Sequence, residues 1–311
     1  MLRDLRRGDT ERVFTFLTRE FPEEEALLGT RPEGFERIVS RAFRWDTRLL
    51  LALARLLGRS PFRFLVFEAD GQIVGTTMVS FTPRAGYLAM VVVDPAYRGR
   101  GLARRLLEEA RAITARRGRP YVVLDVLDSN SRAVHLYDSA GYRRLRGTGL
   151  YVHDRPVSLL PFVPPPQVRP FAAADAGVLL GVSQRTVPAA VQEVLPASPS
   201  SFRPSPRLNH AMATEVAAWV IDRGHGAEGY VSGAITAATE AGHLSEPLLS
   251  DTVPPDLGAA LTRTAAAWCA GRKAPRLVSV AANEPPQARA ALEAAGFHHA
   301  ISVSTLYRPV G

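Results

Sequence analysis

Between residues 93 and 103 the chain reads Val93-Asp94-Pro95-Ala96-Tyr97-Arg98-Gly99-Arg100-Gly101-Leu102-Ala103, a run whose residue types suit an anion. Gly99 and Gly101 let the backbone turn left-handed and come close to a ligand. A helix beginning directly after them offers unpaired N–H groups and the positive end of its dipole. Arg98 and Arg100 add charge, so the run would make a pyrophosphate cradle. It is not a Walker loop, because no Gly-Lys-Ser/Thr ending follows. It is not a dinucleotide fingerprint, because the glycine spacing differs and no first βαβ turn precedes it. The bland reading of the same run is a Gly-rich turn carrying two solvated arginines.

A second group lies further on. Asn130 and Tyr137 are seven residues apart, close to two helical turns, and face the same way. Ala133 lies between them and is small. Asn130 serves equally well as a plain N-cap, and Tyr137 as a half-buried aromatic with its hydroxyl at the surface. Asp125 alternates onto one strand face with Val123 and Leu127, where a lone carboxylate has either a role or a structural hydrogen bond. His135 points elsewhere on its helix, Asp94 before Pro95 reads as turn chemistry, and Cys269 beside Trp268 reads as inert core.

The elements that must carry these residues are legible. Thr10 to Leu17 reads as a helix, and a longer helical stretch follows at about 31–58, apolar on more than one face from Thr47 to Leu57. Arg63 to Glu68 and Ile73 to Phe81 flank Asp70-Gly71, a hairpin signal. Tyr87 to Val93 is a strand. From Gly101 to Arg117 the residues Ala103, Leu106, Leu107, Ala110 and Ile113 give one apolar helix face, with Arg104–Glu108 and Arg105–Glu109 expected as charge pairs outside. Tyr121 to Leu127 is a buried strand, a helix enters at Asp128-Ser129-Asn130 and leaves at Gly141, and strands follow at about 142–153 and 157–163. The pattern predicts an α/β (α+β) fold with a mixed, mostly antiparallel sheet flanked by helices.

On these residues the chain resembles the GNAT superfamily of N-acetyltransferases. Arg98-Gly99-Arg100-Gly101-Leu102-Ala103 is similar to its R/Q-x-x-G-x-G/A signature. Asn130, Ala133, Tyr137, Gly141 and Tyr142 resemble its later N-x-x-A-x-x-x-Y-x-x-x-G-F/Y pattern. The resemblance covers about residues 1–163. It implies acetyl-CoA, or another acyl-CoA, as donor. It implies that main chain at Val91, Val92 and Val93 meets the pantetheine arm, and that the amides of Gly99, Arg100, Gly101, Leu102, Ala103 and Arg104, with the Arg98 side chain nearby, hold the pyrophosphate. Asn130 and Ala133 would lie along the arm. Tyr137 would protonate the leaving thiolate, a phenol near pKa 10 suiting a thiolate of similar basicity. Several GNAT enzymes use a Glu on the strand Tyr87 to Val93, which has none here. Asp125 matches the position of a Glu that ribosomal-protein N-terminal acetyltransferases use as a base.

The chain has 311 residues, 46% apolar and 22% charged, which excludes a disordered chain, a collagen and a coiled coil. A membrane span needs about 20 apolar residues, and Arg55 interrupts the most apolar run, Leu49 to Ala54. The N-terminus lacks an apolar signal segment. Its single cysteine excludes an internal disulfide and a multi-cysteine zinc site, and no other metal is expected; a reducing cytoplasm is the simplest home. The net charge of +8 suggests an anionic partner, yet all 38 basic residues except Lys273 are arginine, as in a GC-rich genome, and they often sit beside acids. A polyanionic small ligand fits at least as well as nucleic acid, which is not the expected partner.

Pro164-Pro165-Pro166 divides the chain nearly in half. The halves begin alike, with Leu2 to Asp9 against Val168 to Asp175, and end alike, with Arg132 to Tyr142 against Ala290 to Phe297. Residues 1–163 are expected to form a catalytic GNAT domain, 164–167 a linker and 168–311 a degenerate copy. In that copy Ser250 to Ala260 carries no Arg-x-x-Gly-x-Gly, Asp256 stands where a phosphate would lie, and Leu292 stands where Tyr137 does. No clear last strand is visible after Tyr307, so this sheet is truncated or completed by its neighbour. The expected function is acetyl transfer to a primary amine on a small molecule or peptide. The competing reading is a non-catalytic CoA-binding regulator or scaffold. The acceptor and the oligomeric state are not encoded legibly.

Overall fold

A computed structural model describes residues 1–20, 62–203, 214–236 and 241–311. The helical stretch expected at 31–58 lies outside the described residues. In chain order the regular elements are β1 (Leu2–Asp4), α1 (Thr10–Glu20), β2 (Phe62–Ala69), β3 (Gln72–Phe81), β4 (Ala85–Val93), α2 (Leu102–Arg116), β5 (Tyr121–Leu127), α3 (Ser131–Ser139), β6 (Arg143–His153), β7 (Val168–Pro170), α4 (Asp175–Thr186), α5 (Ala189–Val194), β8 (Thr214–Asp222), β9 (Ala227–Thr236), β10 (Ala241–Leu244), β11 (Leu248–Leu249), α6 (Pro255–Ala270), β12 (Arg276–Ala282), α7 (Gln287–Ala294) and β13 (His298–Pro309). The expected strand at 157–163 is absent; Pro156–Leu159 forms a short 3₁₀ turn instead. Pro156 and Pro161 lack the N–H that a ladder needs.

Two compact units result: of the described residues, one holds 1–20, 62–145 and 304–311, the other 146–203, 214–236 and 241–303. In the first, the strands run β1-β2-β3-β4-β5 and then the end of β13. The β2–β3 hairpin turns on Asp70 and Gly71, with φ of 50° and 71°. Both being positive, this is the left-handed two-residue turn that matches strand twist. β4 runs antiparallel to β3 and parallel to β5. Gly86 is required where β4 passes α2, because a Cβ there would lie 2.1 Å from Thr114 Oγ1.

One sheet face carries α2 and α3: Val79, Leu88, Val122, Leu124, Val126 and Leu306 pack with Leu107, Ala110 and Tyr137. On the other face Val66, Ile73 and Val92 pack against Val13, Phe16 and Leu17 of α1. Each face is the apolar side of an alternating strand set, so burial and pleat agree.

The second unit repeats this plan. β8, β9 and β10 are antiparallel neighbours, and β10 pairs β12 in parallel, as β4 pairs β5. β7 flanks β8 as β1 flanks β2. The strand beside β12 is the part of β6 from Thr148 to His153. The units thus exchange end strands: the end of β6 belongs to the second, and residues 304–311 to the first.

The matched beginnings and endings of the halves have matched bonds. Arg3 makes a bidentate pair with Asp9 at 2.6 and 2.9 Å, and Arg169 does so with Asp175 at 2.9 and 2.8 Å. α3 ends with Gly141 at φ 81° and the Tyr142 N–H on Tyr137 O at 3.0 Å; α7 ends with Gly296 at φ 91° and the Phe297 N–H on Leu292 O at 3.0 Å. Both are Schellman caps. Leu292 therefore occupies the Tyr137 position, and it is fully buried.

Candidate functional site

The ladder between β4 and β5 joins Ala85–Leu88 to Tyr121–Leu124 and then stops. A bulge explains the parting. The β3–β4 register shifts between Thr76 and Met78, and Met90 takes φ 55°. The extra residue swings the end of β4 away and changes which side chains face which way. Leu88 and Val91 pack toward α2 and α3, while Met90 and Val92 pack toward α1. Thr76 holds the bulge by donating its hydroxyl to Met90 O at 3.0 Å. Along Ala89–Val93 the edge of β4 toward β5 has no strand partner among the described residues. An amide-bearing chain could pair there as a strand would.

The turn after β4 leads directly to α2. Asp94 caps a short 3₁₀ turn, its Oδ1 accepting from the Ala96 N–H at 2.8 Å, so its turn role is confirmed. That bond, with Arg19 alongside, holds the Asp94 carboxyl below its ordinary range. Gly99 and Gly101 have φ of 76° and 74°, and a Cβ at either would meet nothing within 4 Å. Their glycines are therefore explained by backbone conformation and open approach rather than by crowding. Gly101 caps α2 without a side-chain bond. The first bonded amide is Arg105, donating to Gly101 O at 3.1 Å. The N–H groups of Leu102, Ala103 and Arg104 have no acceptor among the described residues. They and the helix dipole make an anion cradle beside the β4 edge. The residues expected to hold an acyl-CoA thus fit one: an open main-chain edge for its amides and an open helix start for its phosphates.

The arginine side chains differ from the simple expectation. Arg98 Nε donates to Val93 O at 2.9 Å, and Arg100 lies over the Tyr97 ring at 4.9 Å. The expected Arg104–Glu108 and Arg105–Glu109 pairs do not form. Arg104 donates to Ser139 O and Oγ at 3.2 and 3.0 Å, and Arg105 lies over Phe67 at 5.1 Å. Glu108 is taken by Arg111 and Arg308 at 2.9 and 2.6 Å. Bidentate or multiple partners outcompete a single exposed helical pair worth a few tenths of a kcal/mol, about 0.3.

Asn130 caps α3, its Oδ1 accepting from the Ala133 N–H at 3.1 Å, and it is exposed. Tyr137 is 6% exposed and meets Tyr142 edge-on at 5.8 Å. It is more deeply set than the half-buried aromatic the sequence suggested. Its cluster includes Val91 and Val126, both past the last β4–β5 pair, and partly buried Ala133. Tyr137 therefore lies against the mouth of the strand gap. Tyr142 is buried, its hydroxyl has no partner among the described residues, and burial raises its pKa.

Asp125 is the first β5 residue past the ladder, and it is exposed on the opposite sheet face. Tyr87 Oη donates to its Oδ2, and Thr305 Oγ1 donates to its Oδ1 at 2.7 Å. The sequence reading did not single out Tyr87 or Thr305. Strand alternation could have placed Tyr87 on the Asp125 face; nothing local pointed to Thr305. Ser304 in turn donates to Asp128 Oδ1 at 2.6 Å.

The described residues of the second unit lack this constellation. α6 starts after Pro254 with exposed Asp256 in its first turn, and no positive-φ glycine precedes it from Ser245 onward. Cys269 is fully buried, and burial pushes its thiol up to about 12. A groove of 970 Å³ in this unit is lined by Tyr151, Asn283, Glu284, Arg289, Glu293 and His299 among others, none of them expected to carry the chemistry. No group of three or more His, Cys, Asp or Glu among the described residues could hold a metal, and no described helix is long and apolar enough to cross a membrane.

Comparison with known proteins agrees with this geometry. Residues 15–142 match the model of the acetyltransferase (GNAT) family. A tandem GNAT protein from the clavulanic acid biosynthesis pathway aligns over 100% of this chain and 98% of its own, with TM-score 0.64 and 15% identity. A putative acetyltransferase from Pyrococcus horikoshii aligns over 99% and 89%, at 0.60 and 15%. A GCN5-related N-acetyltransferase from Sphaerobacter thermophilus aligns over 100% and 95%, at 0.60 and 17%. At these identities the likeness is one of fold. The matched family model makes residues 15–142 a GNAT acetyltransferase domain, and the likeness over the whole chain gives it a tandem GNAT fold.

Proposed function

We propose that the protein is an N-acetyltransferase that moves an acetyl group from acetyl-CoA to a primary amine by direct transfer. The observation that carries this reading is the pair of left-handed glycines, 99 and 101, opening α2 beside the unpaired edge of β4. Main chain at Val91, Val92 and Val93 would pair with the pantetheine amides. The amides from Gly99 to Arg104 would hold the pyrophosphate. Asn130 and Ala133 would border the arm.

The amine nitrogen attacks the thioester carbonyl, the N–C bond forms and the C–S bond breaks. Tyr137 gives its phenolic proton to the leaving thiolate. Asp125 takes the proton that the amine sheds. The two groups lie on opposite sheet faces, each beside the place where β4 and β5 part. Orientation in the gap supplies much of the rate. Residues 1–163 supply this machinery in sequence terms, 164–167 link, and 168–311 form a degenerate copy, whose Tyr137 equivalent is Leu292. The acceptor is a small molecule or peptide rather than nucleic acid, and the cytoplasm is the proposed setting.

Tyr137→Phe tests the reading. Thiol release from acetyl-CoA in the presence of primary amines falls by about a hundredfold, the lower range for a general acid, while acetyl-CoA affinity is kept. A protein that binds acetyl-CoA and never releases thiol with any amine is a CoA-binding scaffold instead.

A further inference from the structure

Thr305 is 2% exposed, and its hydroxyl ends on the carboxylate of exposed Asp125. Tyr87 Oη holds the other oxygen. Leu306 packs in the core on the α2–α3 face, so strand alternation places Thr305 on the face of Asp125. A carboxylate offers about four lone-pair sites, and two hydroxyl donors leave about two for an incoming amine. Asp125 stands where β5 leaves the ladder, a position at which no neighbouring β4 backbone fixes it. Its side-chain orientation therefore depends on the two hydroxyls.

We infer that Thr305 is a positioning residue for Asp125, so that the last strand of the chain helps to build the acyl-transfer site of the first unit. This rests on the acetyltransferase reading above. A purely structural role for Thr305 would be to fasten the end of β13 beside β5. Ser304 does that equally well through Asp128 at 2.6 Å, on the other sheet face. The neighbouring serine is therefore the internal control.

The experiment uses the full chain, acetyl-CoA, and a mixture of spermidine, glucosamine, lysine and an alanine tripeptide as acceptors, with thiol release as readout. Thr305→Val removes the hydroxyl and keeps the shape. It is expected to lower kcat about tenfold, within what misplacing a catalytic group can cost, with KM for acetyl-CoA unchanged. Thr305→Ser restores kcat, and Ser304→Ala leaves it at the wild-type value. Wild-type kcat in Thr305→Val overturns the inference and leaves the acetyltransferase reading standing, as does an equal fall in Ser304→Ala. Wild-type protein that releases no thiol overturns both. If Thr305→Val does not fold, Tyr87→Phe removes the other donor; an unchanged kcat there overturns the inference and a similar fall supports it.

Discussion

Thr305 reaches Asp125 across 180 residues of sequence, at 2.7 Å. The bond exists because β13 leaves the second unit at Val303 and its end lies in the first. The candidate base and one of its two hydroxyl partners are thus supplied by different halves of the chain. A cut between the halves would separate them.

The repeated Arg–Asp clamps set a stability prediction with a definite order. Arg3 and Asp9 are 8% and 5% exposed at the side chain, whereas Arg169 is 35% exposed. Arg3→Ala takes both short guanidinium bonds from buried Asp9, leaving Arg12 at 3.3 Å and the Arg6 N–H, and should cost about 3 kcal/mol. Arg169→Ala removes a more exposed guanidinium from Asp175, itself 8% exposed, and should cost less, about 2 kcal/mol. Urea unfolding of both variants at pH 7 checks the order; equal costs would contradict it.

The same clamp predicts a pH dependence. The Arg3 hydrogen bond holds Asp9 below the ordinary carboxylate range, against the opposing pull of burial. A lowered folded value means that its stabilisation is complete above the unfolded value, about 4, and is lost as pH falls through the folded value. The stability gap between wild type and Arg3→Ala should be constant from about pH 6 to 8 and narrow below about pH 4. A gap that widens on acidification would reverse the sign.

Tyr142 offers a stabilising substitution. Its hydroxyl is buried with no partner among the described residues, and Tyr142→Phe removes that unmet group without changing the ring packing against Tyr137. The variant should gain about 1 kcal/mol in urea unfolding. A loss of that size would show that the hydroxyl is satisfied in solution.

How much of this was legible beforehand follows the reach of each interaction. The loop from Asp94 to Ala103 and the caps at Gly141 and Gly296 are local backbone chemistry, so residue type and spacing were sufficient. The alignment of Leu292 with Tyr137 succeeded for the same reason, since two Schellman caps fix it. The partners of Glu108 were misread because Arg308 comes from the far end of the chain. Thr305 was missed on the same ground. The strand expected at 157–163 is absent because Pro156 and Pro161 lack the backbone donors that decide a ladder.

In the function proposed here the first unit alone binds the acyl donor, at the start of α2. Titrating acetyl-CoA into wild type and Gly101→Glu by calorimetry tests it most directly. The account predicts one site per chain in wild type and none in the variant, where a left-handed glycine is replaced and a negative charge meets the phosphates, with the variant still folded by circular dichroism. Two sites would place a functional donor loop in the second unit. Folded wild type that binds no acetyl-CoA, or a folded variant that binds it as well as wild type does, would contradict the account.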